Sequence, residues 1–130
     1  MNNFEANTKV LFVDDESEIL SAFVSLMRKE NVKVKILNDS GKIEEMLEQE
    51  GPFALVLSDQ RMPNYDGVFV LGKVKEKSPN TPIILLTGSV KTKMLREYLS
   101  ILGVYAMIEK RCSAKDFISC VMGSLGLRQD

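Results

Sequence analysis

Four stretches of the chain carry side chains able to do chemistry: Asp14-Asp15-Glu16, Asp59, Thr87-Gly88-Ser89 and Lys110. Clustered aspartates repel one another and attract a hard divalent cation with oxygen ligands. Mg²⁺ suits such a cluster, because it binds through one or two carboxylates and keeps several waters. A carboxylate can also attack phosphorus and form an acyl phosphate. A metal on one side and an ammonium on the other stabilise the charge that moves, and a hydroxyl can bond a phosphoryl oxygen and sense it. The chain has no histidine, which excludes Ser-His-Asp and Cys-His nucleophile systems and His-ligated zinc.

Each stretch alone has an ordinary structural reading. Asp14 and Asp15 can cap a following helix. Asp59 can be a turn residue, Thr87 a strand-end hydroxyl and Lys110 a solvated charge. What matters is where the chain places them together.

Five short apolar runs precede these positions or lie between them: Lys9 to Val13, Val32 to Leu37, Phe53 to Ser58, Pro82 to Thr87 and Val104 to Ile108. Near-continuous apolarity over so few residues predicts strands buried on both faces, as in a parallel sheet. The second run alternates Val32, Val34 and Ile36 with Lys33 and Lys35, the pattern of a half-exposed edge strand. Helical stripes fall between the runs. They are Ile19, Leu20, Phe23, Leu26 and Met27; Ile43, Met46 and Leu47; Val68, Leu71 and Val74; Met94, Leu95, Tyr98, Leu99 and Leu102; and Phe117, Ile118, Val121, Met122 and Leu125. Ser113 followed by Asp116 predicts a capping box at the last helix. Strand and helix alternate five times, which predicts a doubly wound α/β sheet with helices on both faces. In such sheets ligands bind beyond the carboxyl ends of the strands, where Asp14, Asp15, Asp59, Thr87 and Lys110 all fall.

A length of 130 residues predicts a single domain with a core of about 8–126 and short polar tails. A net charge of −1 gives no electrostatic reason to expect nucleic acid or an anionic membrane as a ligand. There is no apolar run near the length of a membrane span, and the first residues lack the basic and apolar regions of a signal peptide. Cys112 and Cys120 match no metal or redox spacing and read as free thiols of a reducing cytoplasm.

The sequence resembles the receiver domain of two-component response regulators over about Lys9 to Leu125. The stretches that carry the resemblance are Val10-Leu-Phe-Val-Asp-Asp-Glu-Ser, Val56-Leu-Ser-Asp-Gln-Arg-Met-Pro-Asn-Tyr-Asp-Gly67, Ile83-Ile-Leu-Leu-Thr-Gly88 and Gly103 through Lys110. The resemblance implies a flavodoxin-like (βα)5 sheet of strand order 2-1-3-4-5. It implies that Asp59 accepts a phosphoryl group from a histidine kinase phosphohistidine or a small phosphodonor. Asp14, Asp15 and the main-chain carbonyl of Arg61 would join Asp59 around Mg²⁺, with Asp15 the more direct ligand of the first pair. Lys110 would pair with phosphoryl oxygens and Thr87 would swing in to bond them. The last two helices and the strand between them would contact a downstream protein. Such a domain catalyses only its own phosphorylation and dephosphorylation. No effector module is visible, so the chain is either a stand-alone receiver or part of a longer regulator.

Two positions depart from the family pattern. Arg111 follows Lys110 where the family usually has Pro. A non-proline cis bond costs about 3 kcal/mol, so a trans bond is expected there. Met107 stands where an aromatic residue commonly rotates inward with the threonine, and it cannot make the aromatic hydrogen bond. Tyr105 is two residues away and would share a sheet face with Met107 in a regular strand. Arg61 and Ser89, each two residues after a key position, are expected to face the phosphoryl group and tune its lifetime. Three alternatives stand beside the switch: a pseudo-receiver acting as a constitutive interaction module, an aspartate-nucleophile phosphatase and a flavodoxin. The phosphatase is disfavoured because Asp14 and Asp15 are adjacent rather than spaced Asp-x-Asp. The flavodoxin is disfavoured because no Ser/Thr/Gly-rich phosphate loop follows the first run.

Overall fold

The computed structural model describes residues 8–88 and 93–126. Its elements run β1 (Lys9–Val13), α1 (Ser17–Met27), β2 (Lys33–Leu37), α2 (Ile43–Glu50), β3 (Leu55–Asp59), α3 (Gly67–Lys77), β4 (Ile83–Thr87), α4 (Lys93–Leu102), β5 (Ala106–Glu109) and α5 (Ala114–Ser124), with one 3₁₀ turn at Ser40–Lys42 before α2. All strand pairs are parallel and the order is β2-β1-β3-β4-β5. This is the flavodoxin-like arrangement, in which strand order reverses at β1 and β3 and leaves a crevice beyond their carboxyl ends.

The apolar runs form a sheet because their alternate residues feed two separate cores. Val10, Phe12, Leu55, Leu57, Ile84, Leu86 and Ile108 point to one side, where Leu20, Phe23 and Met27 of α1 meet Phe117, Val121 and Met122 of α5. Leu11, Val13, Val56, Ile83 and Leu85 point to the other, against Ile43 of α2, Val70, Leu71 and Val74 of α3 and Leu99 of α4. Burial of such side chains contributes roughly 1.5–3 kcal/mol each before entropy is counted. Phe12, Phe23 and Phe117 form an aromatic chain through the first core, with successive ring centroids 4.5 and 5.5 Å apart.

β2 lies at the edge, as the Lys alternation predicts. Its Ile36 is nonetheless 46% exposed. The fifth strand begins two residues later than the apolar run suggests. Gly103 closes α4 with φ of +80°, a left-handed conformation that costs glycine little. Val104 then donates its N–H back to the Leu99 carbonyl, so Val104 finishes the helix rather than opening the strand. Tyr105 accordingly precedes the strand. Its hydroxyl would lie 3.1 Å from a Cβ placed at Gly123 of α5, whereas Met107 packs on the α2–α4 side. The two therefore do not share a face as a regular strand would require. Ser113 Oγ accepts the Asp116 N–H at 3.0 Å, which supplies one half of the expected capping box. No helix among the described residues is long and apolar enough to cross a membrane.

Candidate functional site

The carboxyl ends of β1, β3, β4 and β5 converge on one rim, and the register explains why. β1 pairs Val13 with Ser58, β3 pairs Asp59 with Leu86, and β4 pairs Thr87 with Glu109. Asp14, Asp59, Thr87 and Lys110 are therefore the first residues at or just past the sheet's end. The Lys110 N–H donates to the Thr87 carbonyl at 3.0 Å, which fixes the last turn of β5 beside β4. Thr87 is buried at the end of β4. A cleft of about 380 Å³ opens there, lined by Glu16, Asp59, Gln60, Arg61, Thr87, Gly88 and Lys110.

Lys110 Nζ lies 3.0 Å from Asp59 Oδ2 and 3.7 Å from Asp14 Oδ2. Burial disfavours its ammonium, yet the bond to Asp59 and the charges of Asp14 and Asp59 outweigh that and hold the pKa above the ordinary lysine value. Carboxylate oxygens of Asp14, Asp15 and Asp59 lie within 4.8 Å of one another. Asp14 is fully buried. Its Oδ1 accepts the Glu16 N–H at 3.0 Å, but its Oδ2 has no hydrogen-bond donor. Burial is the main reason that its pKa rises from 3.8 to about 6. The Glu16 N–H lowers it, the Asp59 charge raises it, Lys110 lowers it and the Glu16 charge raises it. A buried carboxylate oxygen without a donor, beside two more carboxylates, is a site short of positive charge. An oxygen-ligated Mg²⁺ fits that donor set.

The ordinary capping role of Asp14 and Asp15 is not what the structure shows. Glu16 occupies the N-cap of α1 and makes no side-chain cap bond. Asp59 is likewise the last residue of β3, not a turn residue, and is buried. Arg61 is exposed on the rim of the cleft and Met107 is half-buried in the α2–α4 core. Ser89 lies outside the described residues. The Lys110–Arg111 bond is trans, since Gly51–Pro52 is the one cis peptide among the described residues. Cys112 and Cys120 are half-buried free thiols, raised in pKa mainly by burial.

Two residues that spacing alone does not single out also build the site. Gly67 N–H donates to the Gln60 carbonyl at 3.0 Å. A Cβ at Gly67 would sit 2.4 Å from the Asp59 carbonyl oxygen, so only glycine lets α3 start this close to Asp59. Gln60 itself bonds to both β4 and α3. A side-chain amide in a loop has no periodicity to betray it. The Gly67 position was visible only as part of the Asp-x-x-Met-Pro-x-x-Asp-Gly run.

A parallel sheet of this order, with acidic residues and a lysine gathered at its carboxyl rim, places the chain among the flavodoxin-like α/β domains. Residues 10–122 match the family described as response regulator receiver domain, and the chain belongs to that family. A response regulator receiver domain protein (CheY-like) from Methanospirillum hungatei is similar in structure, with a TM-score of 0.84 and 25% sequence identity over 92% of this chain and 94% of that one. The signal receiver domain of an HD domain-containing protein from Pseudomonas fluorescens gives 0.83 at 22% identity, over 92% and 95%. A BeF3-activated DrrB receiver domain gives 0.78 at 24% identity, over 92% and 97%; DrrB is a Thermotoga maritima protein. The curated proteins yield no match.

Proposed function

We propose that the chain is a phosphorylation-dependent signalling switch with Asp59 as the acceptor. The observation that carries this reading is the 3.0 Å approach of Lys110 Nζ to Asp59 Oδ2, with the buried, donor-less Asp14 Oδ2 3.7 Å from the same ammonium. An Asp59 oxygen attacks the phosphorus of a phosphohistidine; the P–N bond breaks and its electron pair returns to the imidazole of the donor. Asp14, Asp15, Asp59 and the Arg61 carbonyl would hold Mg²⁺, which supplies charge neutralisation for the phosphoryl oxygens. Lys110 offsets the charge on another of those oxygens. Once Asp59 is phosphorylated it no longer offers Lys110 a free carboxylate, and the Thr87 hydroxyl lies at the same rim to bond a phosphoryl oxygen. Water attacking the same phosphorus restores Asp59 and releases inorganic phosphate.

The donor is a sensor histidine kinase or a phosphotransfer protein, and the output partner docks on α4, β5 and α5. Tyr98, Ile101 and Tyr105 are exposed there, which suits a protein partner rather than nucleic acid or membrane. Half-buried free thiols suit a reducing, cytoplasmic setting. A constitutive interaction module would not need the paired Lys110 and Asp59. The test is incubation with Mg²⁺ and acetyl phosphate or beryllofluoride, read by intact mass and amide shifts. Modification at Asp59, abolished by Asp59→Asn, is expected. An unmodified wild type, beside a control receiver that reacts, would favour the constitutive module.

A further inference from the structure

A helix begins with N–H groups that have no partner inside it. In α3 each of the first three is satisfied, and Gln60 supplies two of the three acceptors. The Gly67 N–H donates to the Gln60 main-chain oxygen at 3.0 Å and the Phe69 N–H to Asp66 Oδ1 at 2.9 Å. Between them the Val68 N–H donates to Gln60 Oε1 at 3.0 Å. On its other side, the Gln60 N–H donates to the Leu86 carbonyl of β4 at 2.9 Å. The residue directly after Asp59 is thus fastened to the neighbouring strand and to the helix that closes its own loop. Gln60 also lines the cleft.

We infer that Gln60 is a positioning residue for cation binding. Its side-chain oxygen, anchored by Val68, holds the Asp59–Arg61 main chain where the Asp59 carboxylate meets those of Asp14 and Asp15. The inference rests on the proposed reading of these aspartates as a Mg²⁺ site. The main-chain bonds of Gln60 would form with any side chain at this position. The Oε1 bond is the one that depends on glutamine. Without it the Val68 N–H loses its acceptor, and the turn after Asp59 is held by main chain alone. Carboxylates that must converge within a few ångströms tolerate little of that freedom, so metal affinity falls before the fold does.

The test titrates Mg²⁺ alone into the full chain and follows amide shifts, with thermal melts run in EDTA. Gln60→Met keeps the length and packing of the side chain and removes the acceptor. Its Mg²⁺ dissociation constant is expected to rise about tenfold, the lower end for loss of an outer-shell partner. Val68→Pro deletes the same bond from the donor side, at a helical position with no intrahelical N–H bond to lose, and is expected to weaken Mg²⁺ equally. Val74→Ala, in the core of the same helix, is expected to lower the melting temperature and leave the dissociation constant unchanged. Wild-type affinity in folded Gln60→Met and Val68→Pro would overturn the inference. Equal weakening in Val74→Ala would also overturn it, by showing a general response to lost stability. Should Gln60→Met not fold, Val68→Pro decides alone. A wild type that binds no Mg²⁺ would refute the cation-site reading and this role with it, whereas a binding wild type with unaltered variants refutes only the role.

Discussion

Asp14 is the residue at which the metal question and the stability question meet. Its folded-state pKa, about 6, lies above the ordinary 3.8, chiefly because the carboxyl is buried. A carboxyl raised in this way is bound more tightly to its proton in the folded chain than in the unfolded one. It therefore stabilises the fold at low pH, and that stability is lost as pH rises from about 3.8 through about 6. In EDTA the Asp14 contribution at pH 7.5 should be lower than at pH 5 by roughly 1 kcal/mol. Asp14→Asn should remove that pH dependence and stabilise the metal-free protein at neutral pH. Urea melts of both proteins at the two pH values measure this; a wild type that loses no more stability than Asp14→Asn over this range would contradict it. Mg²⁺ should raise the wild-type melting temperature more at pH 7.5 than at pH 5, because the cation competes with the proton for the same oxygens. Arg61 belongs to the same scale. Its exposed side chain borders the cleft, and on the proposed reading of Asp59 as acceptor it would fold over the phosphoryl oxygens and hinder water. Arg61→Ala should speed loss of label from Asp59 about threefold, a change of roughly 0.7 kcal/mol in the barrier. Unchanged or slower hydrolysis in a single-turnover assay would remove Arg61 from this role.

At the scale of elements, the start of α3 and the two faces of α4 are the informative cases. Gly67→Ala pushes a methyl against main chain, with 2.4 Å to the Asp59 carbonyl oxygen and 2.6 Å to Leu85 Cδ1. Main chain yields less readily than a side chain, so a loss of about 1–3 kcal/mol is expected in urea melts, together with altered amide shifts at Asp59 and Gln60. In α4 the sequence stripe mixes buried and exposed residues. Leu99 is buried, while Tyr98 is 52% and Ile101 86% exposed. Leu99→Ala should cost about 2–5 kcal/mol, whereas Ile101→Ser should change stability by no more than about 0.5 kcal/mol. A large cost for Ile101→Ser would mean that the helix packs differently. The apolar excess of α4 was legible in the chain, because Tyr98 beside Leu99 widens the stripe beyond one core-facing row. Ile101 was not, since an isolated isoleucine reads the same whether it faces core or solvent. Val70 escaped the α3 stripe for a related reason. The helix is buried over a wider arc than Val68, Leu71 and Val74 span, and Phe69 between them lies outward, stacked on Tyr65 at 4.2 Å.

Across the whole molecule, the sheet order follows from which strands can be covered on both sides. β3 and β4 are buried at all five of their residues, β1 at four of five, while β2 and β5 each bury one. That ranking is visible in the sequence as near-continuous apolar residues in the central runs and alternating Lys in the second. The run at Val104 was harder to read, because a left-handed Gly103 and a helix-closing Val104 are decided by main-chain hydrogen bonds that side-chain type does not reveal. The ranking predicts how the fold opens. Native-state amide exchange should be slowest in β1, β3 and β4, whose N–H groups lie between two layers of helix, and faster in β2 and β5, which have strand neighbours on one side only. Beryllofluoride with Mg²⁺ should add protection where the cleft joins the fold, at Asp59 to Val68 and at Lys110, and leave β2 unchanged. Those residues draw on two separate strand ends, of β3 and β5, and on the first turn of α3, so a ligand that binds them all raises the cost of any opening that separates them. Added protection confined to one loop would mean that the ligand sits on Asp59 without engaging Lys110, and would break the link between phosphoryl acceptance and the α4–β5–α5 face.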